Sequence, residues 1–230
     1  MCFSATASFT SAALLVPISI YASKIAWSKD SRYLPLALIP LVFGIQQGFE
    51  GIFWLLLNDN QANLLRLVAL GFLFFSHGFW LVWPSLTALI LDHRHWAKKL
   101  FLTTTLIGLL FGLTLYVPFL LYPNWLSVTI SHGSIDYQTQ IIYDRFFSYH
   151  ITRLIYALIA LGPLCLSEPT HLRIFGGLIA LSVLFTHWFF DYAFVSVWCF
   201  LAAALSVYVT YILYSLPASL PQGIKLTTQS

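Results

Sequence analysis

The sequence predicts an all-α membrane protein, a polytopic bundle of seven transmembrane helices with its N-terminus outside and its C-terminus in the cytoplasm. Three observations carry this. Of 230 residues, 8% are charged and 59% are hydrophobic, whereas soluble domains carry roughly 25% charged residues. So few charges cannot cover a water-facing surface, so lipid is the solvent for most of the chain. Seven apolar stretches each approach the ~20 residues that cross a bilayer. Finally, Lys and Arg concentrate in alternate loops, as the positive-inside rule requires.

Taken in order, the spans read as Phe9–Trp27, Leu34–Leu57, Leu67–Leu91, Leu100–Leu121, Ser148–Leu166, Leu172–Phe190 and Ala193–Leu216. Pro35, Pro169 and Pro217 punctuate span ends. Pro40 and Pro84 fall inside spans and predict kinks, which a bundle tolerates when neighbours satisfy the freed carbonyls. Asp191 and Tyr192 alone separate the last two spans. Lys24, Lys29 and Arg32 follow the first span, Arg94, Lys98 and Lys99 the third, Arg173 the fifth, and Lys225 lies in the tail. These loops share one side, the cytoplasm. The other side holds Arg66 and Arg145, with Arg153 just inside the fifth span. The chain is read as one transmembrane domain over residues 1–230, multi-pass in the inner membrane. Its one long loop, 122–147, faces outward. There LSVTISHGSIDYQTQ alternates on both sides of His132-Gly133, which predicts a hairpin, read either as a lid or as an uninvolved surface element.

Several function classes drop out. A net charge of +3, with basic residues in short clusters, does not suit nucleic acid. Cys2, Cys165 and Cys199 show no disulfide or metal-finger spacing. The first positive charge, Lys24, comes after the first apolar stretch, so the N-terminus does not read as a cleavable signal peptide. The expected partners are the bilayer and a small-molecule or lipid ligand.

Polar residues inside the spans carry the functional signal. His187 and Asp191 stand four apart in LFTHWFFDYAFVSVWC, which on a continuous helix places both on one face. Glu50 sits about 10 Å below the outer end of its span and His77 about 15 Å below, at 1.5 Å per residue. His150 and His187 lie near the outer end, Asp191 at the rim, and Arg153 a turn and a half down. Ionisable groups at such depth cost about 2.5–3.5 kcal/mol each at a helix centre and face the bundle interior. Glu50 sits in GIQQGFEGIFW, with Gln46 and Gln47 a turn away and Gly48 and Gly51 permitting close helix approach. Ser76 and Gly78 flank His77.

These residues admit three readings. In the first, His77, His150 and His187 form a metal site, with Glu50 or Asp191 as fourth ligand or general base. Zinc suits such ligands, although no HExxH-type signature is present. Alternatively, the same residues line a metal-free cavity for a ligand, a proton or a small solute. The third reading is structural, with interhelical hydrogen bonds and an ion pair such as Glu50–Arg153 fixing the bundle. Cys2 is read either as an outer-side thiol near His150 and His187, able to act as nucleophile or ligand, or, with Ser4, Thr6 and Ser8, as the polar approach and cap of the first helix. Trp188 and Tyr192 read first as interface anchors, or, flanking the His187/Asp191 pair, as the lining of a pocket.

The opening MCFSATASF, followed by RYLPLALIPLVFGIQQGFEGIFWL, resembles a family of bacterial integral-membrane proteins that begin with M-C-F-S-A and carry a Gln-rich, Glu-Gly-containing second helix. That resemblance implies the same seven-helix fold and brings no assigned function. A looser resemblance is to the seven-helix metal-dependent membrane hydrolases, which include alkaline ceramidases and progestin/adipoQ-type receptors. Ser76-His77 and the His187/Asp191 pair carry it. The chain lacks that group's paired histidines four apart in the last helix and its Ser-to-His spacing of four. As an enzyme the chain reads as a metal-dependent hydrolase of a lipid or lipid-like substrate, with Glu50 or Asp191 as base; as a non-enzyme it reads as a transporter, a receptor-like protein or a membrane-assembly protein.

Overall fold

A computed structural model describes residues 4–57, 62–146 and 148–217. Cys2 and Lys225 lie outside these residues. Seven helices are long and apolar enough to span a membrane: α1 (Ala5–Lys29), α2 (Ser31–Leu56), α3 (Ala62–Leu91), α4 (His95–Leu121), α5 (Tyr149–Leu166), α6 (Thr170–Phe189) and α7 (Asp191–Tyr214). The protein is a multi-pass membrane protein. Between α4 and α5 lies an antiparallel hairpin of β1 (Leu126–Ser131) and β2 (Ser134–Thr139).

Helix ends depart from the apolar runs where local chemistry takes over. Helix α1 starts at Ala5 because Ser4 is its N-cap, its hydroxyl accepting from the Ala7 N–H at 3.2 Å. Helix α4 begins at His95, five residues before the apolar run, since the HWAKK segment has helical propensity and its lysine stems can lie along the bundle while their ammonium groups reach water. The break near Pro40 falls at Leu38, where a short turn of helix gives way to Ile39–Leu56. In α3 the irregularity is a π-turn over Phe75–Phe79. Pro84 comes soon after, and proline has no N–H for the carbonyl four residues back. The α6 helix ends at Phe189, and Phe190 turns the chain into a 3-10 start for α7 at Asp191.

Small residues set the helix spacing. A Cβ at Gly51 would meet the Phe9 ring at 2.9 Å, so α1 and α2 touch there, whereas Gly48 has no neighbouring atom within 4 Å and plays no such part. Gly108 and Gly112 of α4 bring that helix against the stretch of α3 from His77 to Leu81. Gly176 of α6 does the same against Leu164 and Cys165 of α5.

The two ends of the bundle differ. At one end the basic loops are tied together. Lys29 Nζ donates to the Leu213, Tyr214 and Leu216 carbonyls at 3.3, 2.7 and 2.7 Å. Arg32 Nη1 lies 3.3 Å from His93 Nε2, and Arg94 Nη2 donates to the Leu166 carbonyl at 2.7 Å. The loops after α1, α3 and α5 and the end of α7 therefore meet on one face. The hairpin covers the opposite end. His132 and Gly133 have φ of +49° and +73°, which gives a two-residue turn matched to strand twist. Ile135 and Ser134 are fully buried, Tyr137 stacks on Phe72 with ring centroids 4.8 Å apart, and the His132 ring packs against Tyr192.

Candidate functional site

Beneath the hairpin, α3, α5, α7 and β2 enclose a cavity of about 290 Å³. Each element supplies it for a local reason. On α5, Tyr149, Thr152, Arg153 and Tyr156 keep the three-and-four spacing of a single helix face. On α7, Val195, Trp198 and Cys199 do the same. From α3, the π-turn inserts Ser76 and His77. A π-turn holds one more residue per turn than an α-turn and frees a backbone carbonyl, and such bulges recur at functional sites. Here Tyr156 Oη donates to the Ser76 carbonyl. Ser76 Oγ lies 2.9 Å from His77 Nδ1, which fixes the imidazole. Tyr137, Gln138 and Thr139 of β2 close the top.

Arg153 is the one formally charged side chain lining the cavity among the described residues. Its Nη1 pairs with Asp191 Oδ1, and its guanidinium lies over the Phe194 and Tyr149 rings, 4.2 and 4.9 Å from their centroids. His187 Nδ1 lies 3.2 Å from the same Asp191 oxygen. The pair meets across the end of α6, not along a continuous helix face. The exposed His150 ring sits edge-on to His187, with centroids 5.4 Å apart. A smaller recess beside Arg153, about 40 Å³, is bordered by Asp136, Asp191 and Tyr192.

The residues expected as a single site thus fall into three groups. Ser76, His77 and Arg153 line the cavity. His150, His187 and Asp191 form an outer cluster joined to it through Arg153. Gln46, Gln47 and Glu50 are fully buried on α2, away from the cavity. Trp80 Nε1 donates to Gln46 Oε1 at 2.8 Å, Gln46 Nε2 to Cys199 Sγ at 3.3 Å, and Ser196 Oγ to Glu50 Oε1. Arg153 thus finds its carboxylate in Asp191, not in the expected Glu50. Neither Glu50 nor Asp191 lines the cavity. The metal expectation fares no better: among the described residues, no group of three or more His, Cys, Asp or Glu side chains is placed to hold an ion. His77 stands apart from His150 and His187: it lines the cavity and they do not.

Thr152, Tyr156, Trp198 and Cys199 also line the cavity and are not among the expected cavity residues. The Tyr149–Thr152–Arg153–Tyr156 spacing was the available signal for the first two. Thr152 is 7% exposed, and its Oγ1, like Trp198 Nε1, has no hydrogen-bond partner among the described residues. A buried donor left unpaired costs about 1–3 kcal/mol. Both atoms are themselves fully buried, so neither faces the cavity.

The sequence profile of DUF6629, a family of unknown function, matches residues 1–221. The chain belongs to this family. No curated protein and no solved structure matches it. Membership in DUF6629 agrees with the resemblance that carried no assigned function, and the looser resemblance to ceramidase-type hydrolases finds no support in these comparisons.

Proposed function

We propose that this DUF6629 protein is a receptor-like protein of the inner membrane that binds a small molecule in an outward-facing cavity beneath its hairpin. The observation that carries this reading is the cavity itself, about 290 Å³ between α3, α5, α7 and β2, with aromatic walls and a few fixed polar groups. Small-molecule sites have this make-up, and the volume lies near the lower end of their usual range of about 300–1,000 Å³. The outward orientation rests on the basic loops, which gather at the end opposite the hairpin and would face the cytoplasm.

Binding fits better than passage. On the basic side of Tyr156, Trp198 and Cys199 lies a separate space of about 40 Å³, otherwise walled by apolar residues such as Ile39, Phe43, Leu161 and Phe175. A solute path to the cytoplasm would need polar groups there. Metal-dependent hydrolysis would need three donors around one ion, and the described histidines do not group that way.

Val195→Trp tests the reading by filling the cavity. Extraction of the wild type into native nanodiscs, with mass spectrometry of the bound small molecules, is expected to show a compound enriched over the surrounding lipid. In Val195→Trp, with its melting profile retained, that compound should fall about ten-fold or more. Equal content in the two proteins would overturn the proposal.

A further inference from the structure

On the flank of the bundle, away from the cavity, α1 and α2 leave a groove of about 460 Å³ between them. Ile20, Lys24 and Trp27 form its α1 wall, and Leu34, Leu38 and Leu41 its α2 wall. Each set keeps the i, i+4, i+7 spacing of one helix face. The groove follows the break in α2. Pro40 has no N–H for the carbonyl four residues back, and the helix resets at Leu38. Ser19 Oγ donates to the Ala37 carbonyl at 2.7 Å, which ties the broken turn to α1. Ile20 is 52% and Trp27 74% exposed, so the groove opens to the surroundings of the bundle.

Charge distinguishes the end of the groove nearest the basic loops. Lys24 lies about 7 Å short of the end of α1 at Lys29, a depth from which a lysine stem carries its ammonium up to the headgroup level. Trp27 stands one turn beyond it, where an indole sits at a membrane interface. Other cations at this end are engaged: Arg32 pairs with Asp30, Arg94 with Asp92, and Lys29 donates to three carbonyls. Lys24 makes no ion pair among the described residues. A groove of similar size between α6 and α7, about 400 Å³, is lined by Leu201, Leu205 and their neighbours without a charged residue. An exposed apolar groove accepts an acyl chain, and an unbalanced cation at its mouth selects a negative headgroup, as basic pockets between membrane helices do. A zwitterionic lipid brings its own ammonium and gains less. We propose that the α1–α2 groove binds an anionic phospholipid, with an acyl chain along Ile20, Leu38 and Leu41 and the phosphate at Lys24.

The full chain in phosphatidylcholine nanodiscs doped with phosphatidylglycerol provides the test, with native mass spectrometry counting the lipids that stay bound on release. Four proteins are compared: wild type, Lys24→Gln, Ile20→Trp and Lys98→Gln. All three substituted positions are exposed, so melting profiles should match the wild type. The wild type is expected to retain phosphatidylglycerol in preference to phosphatidylcholine. Lys24→Gln should lower that preference about five-fold, the effect of one lysine near an anionic lipid surface. Ile20→Trp, which fills the groove, should lower phosphatidylglycerol retention as well. Lys98→Gln removes an exposed lysine at the same end of the bundle but outside the groove, and should retain the wild-type preference. An unchanged preference in Lys24→Gln overturns the proposal. An equal loss in Lys98→Gln also overturns it, since the basic end as a whole would then attract the lipid. Full retention in Ile20→Trp would show that the lipid does not use the groove, and the proposal falls with it.

Discussion

Gly108→Ala should lower the melting temperature of the purified protein by several degrees and impair ligand binding together. A Cβ on Gly108 would lie 2.1 Å from the Leu81 carbonyl oxygen and 2.9 Å from its carbon. These are backbone atoms of α3, so no side-chain rotation relieves the overlap, and α4 must move away. Gly112, one turn on, is close but less tight: a Cβ there would meet the His77 carbonyl oxygen at 3.1 Å and Gly78 Cα at 3.2 Å. The two glycines form a small-xxx-small face, which in a membrane lets helices approach without help from water. Overpacking such a contact costs typically 1–3 kcal/mol. Because the contacted stretch runs from the π-turn to Leu81, separation also shifts the wall that carries His77. Gly162→Ala is the control. No atom lies within 4 Å of its added Cβ, so the gain in helix propensity, up to about 1 kcal/mol, should hold or raise the melting temperature. Equal melting of the Gly108→Ala variant and the wild type would show that α3 and α4 are not in this contact.

That contact also shows where sequence reading stopped. Span number and rough extent are legible because a ~30 Å hydrocarbon layer demands runs of apolar residues, and the alternate basic loops do gather at one end of the bundle. Which face of each span looks inward was far less so. FLFFSHGFWLVW is apolar or aromatic on every side, so periodicity offers no phase for His77. The π-turn there adds a residue to one turn and rotates the N-terminal half of α3 relative to its C-terminal half. Glu50, Gln46 and Gln47 read as inward-facing, since buried polar groups must find partners. The partners of Glu50 and Gln46, namely Ser196, Cys199 and Trp80, come from other helices and are not given by spacing, while the Gln47 amide has no partner among the described residues. The three histidines looked like a ligand set through their shared outer location alone. Depth fixes one coordinate of three, and the other two place His77 in the cavity and His150 with His187 outside it.

Asp92→Asn should destabilise the protein by about 2 kcal/mol or more at neutral pH, and this difference should shrink by most of that amount on acidification to pH 2. Asp92 is fully buried at the turn from α3 to α4, at the basic end of the bundle. Its Oδ1 accepts from the Arg94 backbone N–H at 2.9 Å and from Arg94 Nε at 3.1 Å. Its Oδ2 accepts from Arg94 Nη2 at 2.6 Å and from the Glu168 N–H at 2.9 Å. Arg94 Nη2 continues to the Leu166 carbonyl, so this carboxylate joins the α3–α4 turn to the α5–α6 turn. Burial alone would raise its pKa. The Arg94 side chain, the two backbone N–H groups and the guanidinium charge outweigh burial and hold it at about 2, against 3.8 for an ordinary aspartate. The folded state thus favours the ionised form. Its contribution is present in full above the unfolded value and is lost as pH falls from about 4 through 2. A shift of this size corresponds to about 2 kcal/mol. An asparagine turns one acceptor into an N–H₂ among donors and does not titrate, so its penalty at pH 7 should equal or exceed that figure. Melting of wild type and Asp92→Asn in parallel from pH 7 to pH 2 isolates this group from the other carboxylates. A gap that stays constant across the whole range would mean that Asp92 does not anchor the two turns as an ionised carboxylate.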